Sequence, residues 1–275
     1  MPRMELGRAR GRPCADPRVD RRRVRSGIGP QRGIGGIVNE DRLRNDDVAA
    51  SPSRGIQARE LGAFLLLLVP SLLLSRLTSP QLQPSFAFFA LATILSNAAL
   101  LALVLFFLWR NGEPYGRIGW RRRDLPREVM VGIALVIPFV LFQAVLALVL
   151  GALGLLDDGP RTAPFALPAG GPELAFGVLL VAIIAVGEET VFRGYLLLRL
   201  GSLTGSTAAA VALSSLIFAL GHGYQGTAGT IAVGAIGVVL AVIYLWRGSI
   251  VAPVVLHFVQ NFTGIVLAPL LGGRT

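Results

Sequence analysis

Between Leu61 and Leu270 the chain returns repeatedly to apolar runs about as long as a bilayer is thick. A helix needs ~20 apolar residues to cross a ~30 Å hydrocarbon core, and runs of 18 or more read as transmembrane segments. Seven apolar segments can be placed: Leu61–Leu74, interrupted by Pro70 and extending to about Thr78; Phe86–Trp109; Val129–Leu153, with Pro138 inside; Leu174–Leu200; Ala208–Leu220; Thr230–Trp246; and Ile250–Leu270. Only 15% of the residues are charged, against ~25% in an ordinary soluble domain. That leaves too little polar surface to cover so many apolar elements. The chain therefore reads as all-α, a polytopic membrane bundle of about seven helices. The fifth run is short for a crossing, so a tilted or re-entrant helix is an alternative there.

The charge pattern sets an orientation. All 26 basic residues are arginine, and the net charge is +10. In a soluble protein this would suggest nucleic acid; in a polytopic one, cytoplasmic loops are enriched in Arg and Lys, and no nucleic-acid partner is expected. The Arg110–Arg127 loop, Arg199 and Arg247 go to the cytoplasm, and Arg76 and the Asp157/Asp158 loop go outside. The expected location is the cell membrane, with the N-terminus cytoplasmic. Residues 1–59 carry 14 arginines with scattered glycine, proline and acids, and no sustained apolar period. They read as a disordered Arg-rich cytoplasmic tail preceding a membrane domain over 60–275. A true start nearer Asp46 or Arg59 is compatible with the same composition. No apolar stretch follows Arg21-Arg22-Arg23, so a twin-arginine signal is not formed. Cys14 is the only cysteine, which excludes an intrachain disulfide and a cysteine-based metal site.

Charge at bilayer depth costs at least ~2.5 kcal/mol per residue, so an intramembrane acid is by default a functional residue. Glu188 and Glu189 are the only acids between Leu174 and Leu270, and both histidines of the chain, His222 and His257, fall in the same stretch. On a helix Glu189 and Arg193 stand at i and i+4 and can pair. Glu188 is turned ~100° away and faces a different space. The structural alternative is that both acids pair with Arg193 and Arg199 and do nothing else. Phe218 and His222 share a face at i, i+4, as do His257 and Asn261. Each pair alone is weak. Together, a carboxylate, two imidazoles and an amide on three apolar segments are the inventory for hydrolysis, with a base for water and donors for an oxyanion. They are also the inventory for a zinc site on Glu188, His222 and His257, although no His-Glu-x-x-His signature is present.

Three ordered motifs resemble the CAAX prenyl endopeptidase and bacteriocin-processing (CPBP) family of intramembrane proteases: Glu188-Glu189-x-x-x-Arg193, Phe218-x-x-x-His222 and His257-x-x-x-Asn261. Arg193-Gly194-Tyr195-Leu196 and Arg247-Gly248-Ser249-Ile250-Val251-Ala252-Pro253 add to the likeness, which covers about Leu174–Leu270. The resemblance implies an intramembrane endopeptidase acting on a membrane-associated or lipidated peptide or protein. Glu188 and His222 would activate water, and His257 and Asn261 would stabilise the oxyanion. Glu189, Arg193 and Phe218 would be supporting residues. The family is often described as metalloprotease, with Zn the candidate ion; an asparagine is an uncommon ligand beside histidine but a good oxyanion donor, which favours metal-independent chemistry. Two rivals remain. One is a transporter with a proton or cation pathway, disfavoured by the absence of an inverted repeat. The other is a non-catalytic scaffold or immunity protein.

One tension is geometric. With both segments starting at the cytoplasmic face, His222 lies at the far end of its run and His257 near the start of its own. A short fifth helix, tilt or a broken fourth helix is needed to bring them together.

Overall fold

The computed structural model describes residues 51–74, 84–121, 124–156 and 166–271. Among these the regular elements are all helical. They are α1 (Arg54–Leu74), α2 (Phe86–Arg110), α3 (Leu125–Ala134), α4 (Val136–Ala152), α5 (Gly171–Glu188), a π-helical stretch (Glu189–Leu196), α6 (Leu197–Thr204), α7 (Thr207–Leu220), α8 (Gly226–Arg247), α9 (Val251–Phe262), a second π stretch (Thr263–Leu267) and the short α10 (Ala268–Leu270). Short 3-10 turns stand at Tyr115–Ile118 and Gly223–Gln225. Six rods are long and apolar enough to cross a membrane: Arg54–Leu73, Phe86–Arg110, Leu125–Ala152, Gly171–Thr204, Gly223–Arg247 and Val251–Leu270. Helix α7 has 14 residues, ~21 Å at ~1.5 Å each, and falls short of the core thickness. The expected seven apolar helices are thus six spans and one short element. The chain is a multi-pass membrane protein.

Local chemistry explains the breaks. Pro138 has no N–H to give to the carbonyl of Ala134, and the third rod parts there into α3 and α4. Ser85 caps α2 by accepting from the backbone of Phe88, and Ser206 caps α7 by accepting from Ala209. The first helix begins at Arg54, ahead of the apolar run, because Gln57 and Glu60 are buried by polar partners. The proposed tail over residues 1–59 falls, for residues 1–50, outside the described residues. So do Arg76 and the Asp157/Asp158 loop.

The rod Gly171–Thr204 is the axis of the fold. In it and in α8 the enclosed share of the apolar window is 44%, against 11% in the α3–α4 rod. Helices α2 and α9 pack along α5, and α7 packs on α6 and α8. Outward, Leu66, Leu67, Phe88, Ile137, Leu141 and Leu148 lie exposed on α1, α2 and α4, as lipid-facing side chains do. Among the described residues the charged side chains with little or no exposure are paired. Arg199 bonds Glu113 and lies 3.5 Å from Glu60, while Glu60 also accepts from Arg110 and Asn111 at 2.9 Å. Arg247 binds Glu128 through two nitrogens, linking α8 to α3.

Candidate active site

The sequence runs straight from α5 into a π stretch at Glu189. Such turns are rare and cluster at functional sites because they re-aim side chains within an otherwise regular helix. Here the stretch is fully buried, and its backbone is held from outside. Ser214 on α7 donates to the carbonyl of Phe192 at 2.7 Å. Thr190 donates to Val186 at 2.6 Å and accepts from the Trp120 indole at 3.0 Å, so the Arg-rich loop is packed against the helix. The second π stretch starts two residues past Asn261.

Glu189 and Arg193 pair as expected, Arg193 donating to Oε1 at 2.9 Å. The same oxygen accepts from His257 Nδ1 at 2.8 Å. Glu189 is 0% exposed and Arg193 1%. The other guanidinium face lies over the Phe218 ring, 4.3 Å from its centroid. Arg199, in contrast, is taken by Glu113 and Glu60. Glu188 therefore pairs with neither arginine. Its Oε2 is buried without a hydrogen bond among the described residues, and the nearest basic atom is His257 Nε2 at 3.7 Å. The two carboxylates stand differently: Glu189 is locked in an ion pair with Arg193, while Glu188 faces His257 Nε2 at 3.7 Å.

The histidines differ too. His222 Nδ1 is 3.0 Å from the carbonyl of Phe218, and only a protonated nitrogen can donate there. In the neutral ring this puts the proton on Nδ1 and leaves Nε2 as the acceptor. His257 has a carboxylate oxygen at each ring nitrogen. Phe218 bridges the two imidazoles, with centroids 4.8 Å from His222 and 6.1 Å from His257, the latter edge-on. The depth tension is thereby resolved: α7 is short, and its end reaches the middle of α9.

Glu188, His222 and Asn261 line one cavity of about 540 Å³. His257, 5% exposed, stands behind Glu188. Most of the remaining wall is apolar, from Leu68, Leu100, Phe192, Ile265 and others. Sequence reasoning missed the upstream side of this cavity, where Ser71 and Thr93, Ser96 and Asn97 contribute from α1 and α2. The last three are the only polar residues between Phe86 and Trp109, and that was the available signal. For a metal, no group of three His, Cys, Asp or Glu side chains among the described residues gathers as a ligand set.

A multi-pass helical bundle with a buried acid–imidazole centre opening on an apolar cavity defines the class. Residues 170–263 match the sequence profile of the family described as Type II CAAX prenyl endopeptidase Rce1-like, which contains all three motifs and bears out the resemblance. The family is one of membrane peptidases, and the match supports a peptidase. No curated protein and no solved structure gives a match to the chain.

Proposed function

We propose that the chain is an intramembrane endopeptidase that hydrolyses a peptide bond of a membrane-associated peptide or protein, with CAAX-type lipidated substrates the class the family name suggests. The observation that carries this reading is that the Glu188 carboxylate, paired with no arginine, and His222, its Nδ1 turned to a backbone carbonyl, line the same cavity. Water held between Glu188 and His222 loses its proton to them as its oxygen attacks the scissile carbonyl. The carbonyl oxygen becomes an oxyanion and is met by the Asn261 amide and by His257 Nε2–H. His257 donates there from Nε2 while its Nδ1–H stays on Glu189, so the ring carries both protons in this step. Collapse breaks the C–N bond, and the proton passes from the Glu188/His222 pair to the leaving amine. Glu189 and Arg193 hold His257 in place. No metal enters this scheme.

The protein sits in the cell membrane with its N-terminus cytoplasmic, a reading supported by the arginine-rich loops. The test is Glu188→Ala, assayed for cleavage of reporter peptides in proteoliposomes and for folding by size exclusion in detergent. An enzyme loses cleavage and keeps its elution profile. A scaffold that uses Glu188 for packing loses the profile.

A further inference from the structure

Asn97 stands out among the cavity-lining residues that the proposed chemistry does not use. It lies in the middle of α2, in a run that is otherwise apolar apart from Thr93 and Ser96. Its Nδ2 donates to the carbonyl of Thr93 at 3.0 Å. Only the amide nitrogen can donate to a carbonyl, so this bond fixes which way the carboxamide points. Oδ1 is then the free end, and no described residue donates to it. It lies directly against α5 at Gly187, where a Cβ would come within 2.8 Å of it. The next residue is Glu188, and both Asn97 and Glu188 line the cavity. Asn97 is half-buried and lines the cavity, so this acceptor is open to a donor that enters there. The hydroxyl of Ser96 is no candidate, since it donates back to Ala92 at 2.8 Å.

Resting on the hydrolase reading above, we propose that Asn97 is a substrate-positioning residue, whose Oδ1 accepts a hydrogen bond from a main-chain N–H of the bound peptide within two residues of the scissile bond. The contact is to backbone, so it orients the peptide across Glu188 without selecting a side chain. Asn261, which also lines the cavity, offers a donor. A peptide held at an acceptor on α2 and a donor on α9 has its carbonyl presented to the water side of Glu188. The apolar remainder of the cavity takes side chains of any suitable size. The substrate class this implies is an extended, apolar peptide segment recognised through its amides.

The test uses the full-length protein in proteoliposomes and a library of quenched fluorescent peptides, lipidated and plain. For a cleaved peptide, each amide near the cut is N-methylated in turn. The wild type should lose about five- to tenfold in kcat/KM when one such amide is methylated, the size of one backbone hydrogen bond. Asn97→Ala should lose a similar factor on the unmethylated peptide, mostly through KM, and then be indifferent to that methylation. Asn97→Ser serves the same comparison should the alanine variant elute as aggregate. If Asn97→Ala cleaves like the wild type, or still suffers the full methylation penalty, the assignment is wrong while the hydrolase reading stands. It is equally wrong if no methylation matters in the wild type, a result independent of any variant. If the wild type cleaves no peptide in the library, both readings fall together.

Discussion

Removing Glu189 should damage the fold, while removing its neighbour should not. Glu189 is wholly buried, and its Oε1 accepts from Arg193 at 2.9 Å and from His257 at 2.8 Å. Truncation to alanine strands the Arg193 guanidinium, whose second terminal nitrogen already lacks a hydrogen-bond partner among the described residues. Deleting one member of a buried ion pair costs ~3–5 kcal/mol, because the surviving charge stays buried. Each kcal/mol moves the unfolding midpoint of a chain this size by ~2–4 °C, so Glu189→Ala should unfold roughly 6–20 °C early. Glu189→Gln keeps an acceptor oxygen and should fall at the low end. The Glu188 side chain is 21% exposed and makes no hydrogen bond through its buried oxygen, so Glu188→Gln should unfold within about 2 °C of the wild type. The readout is the apparent midpoint in detergent, followed by fluorescence at several heating rates. Glu189→Ala melting with the wild type, or Glu188→Gln falling as far as Glu189→Ala, would refute the division of labour between the two carboxylates.

Three further outcomes follow from the geometry. Asn261→Ala should lower kcat by about 10²–10³ with a smaller change in KM, as loss of one oxyanion donor does, measured by initial rates on a cleaved reporter peptide. Incubation with a strong zinc chelator should leave cleavage intact, and elemental analysis should find no stoichiometric zinc; loss of activity on chelation that zinc restores would overturn the metal-free scheme. Gly119→Ala should lower the unfolding midpoint by several degrees, because Gly119 sits at φ +83° and a Cβ there would come within 2.6 Å of Tyr244 on α8; an unchanged midpoint would mean that Gly119 is not packed against Tyr244.

Much of this was legible in the sequence because the relevant signals are local. Apolar run length alone placed the spans, and i, i+4 spacing gave the Glu189–Arg193 pair and the shared face of Phe218 and His222, whose rings meet at 4.8 Å. The same local reading assumed an uninterrupted α-helix through Glu188. The π stretch from Glu189 has no periodicity signature; it is held by Ser214 and by Thr190 with Trp120, partners far along the chain. For the same reason the partners of Arg199 went unread. Glu60 lies ahead of the first apolar run and Glu113 in an apparently ordinary polar loop, and only the packing of α1 and that loop against α6 brings them in. The link from His257 to Glu189 spans 68 positions and was equally invisible, although it decides which nitrogen of His257 faces Glu188. The upstream wall of the cavity was legible in principle, as three polar residues in an apolar helix, yet nothing in their spacing says what they face.

The most direct measurement is cleavage of a bilayer-embedded reporter peptide in ¹⁸O-water, with the new C-terminus read by mass spectrometry. Wild-type protein should release a product whose fresh carboxylate holds one heavy oxygen. Glu188→Gln, equally well folded, should release essentially none. The same labelled product formed at the wild-type rate by that variant would contradict the claim that this free carboxylate prepares the attacking water.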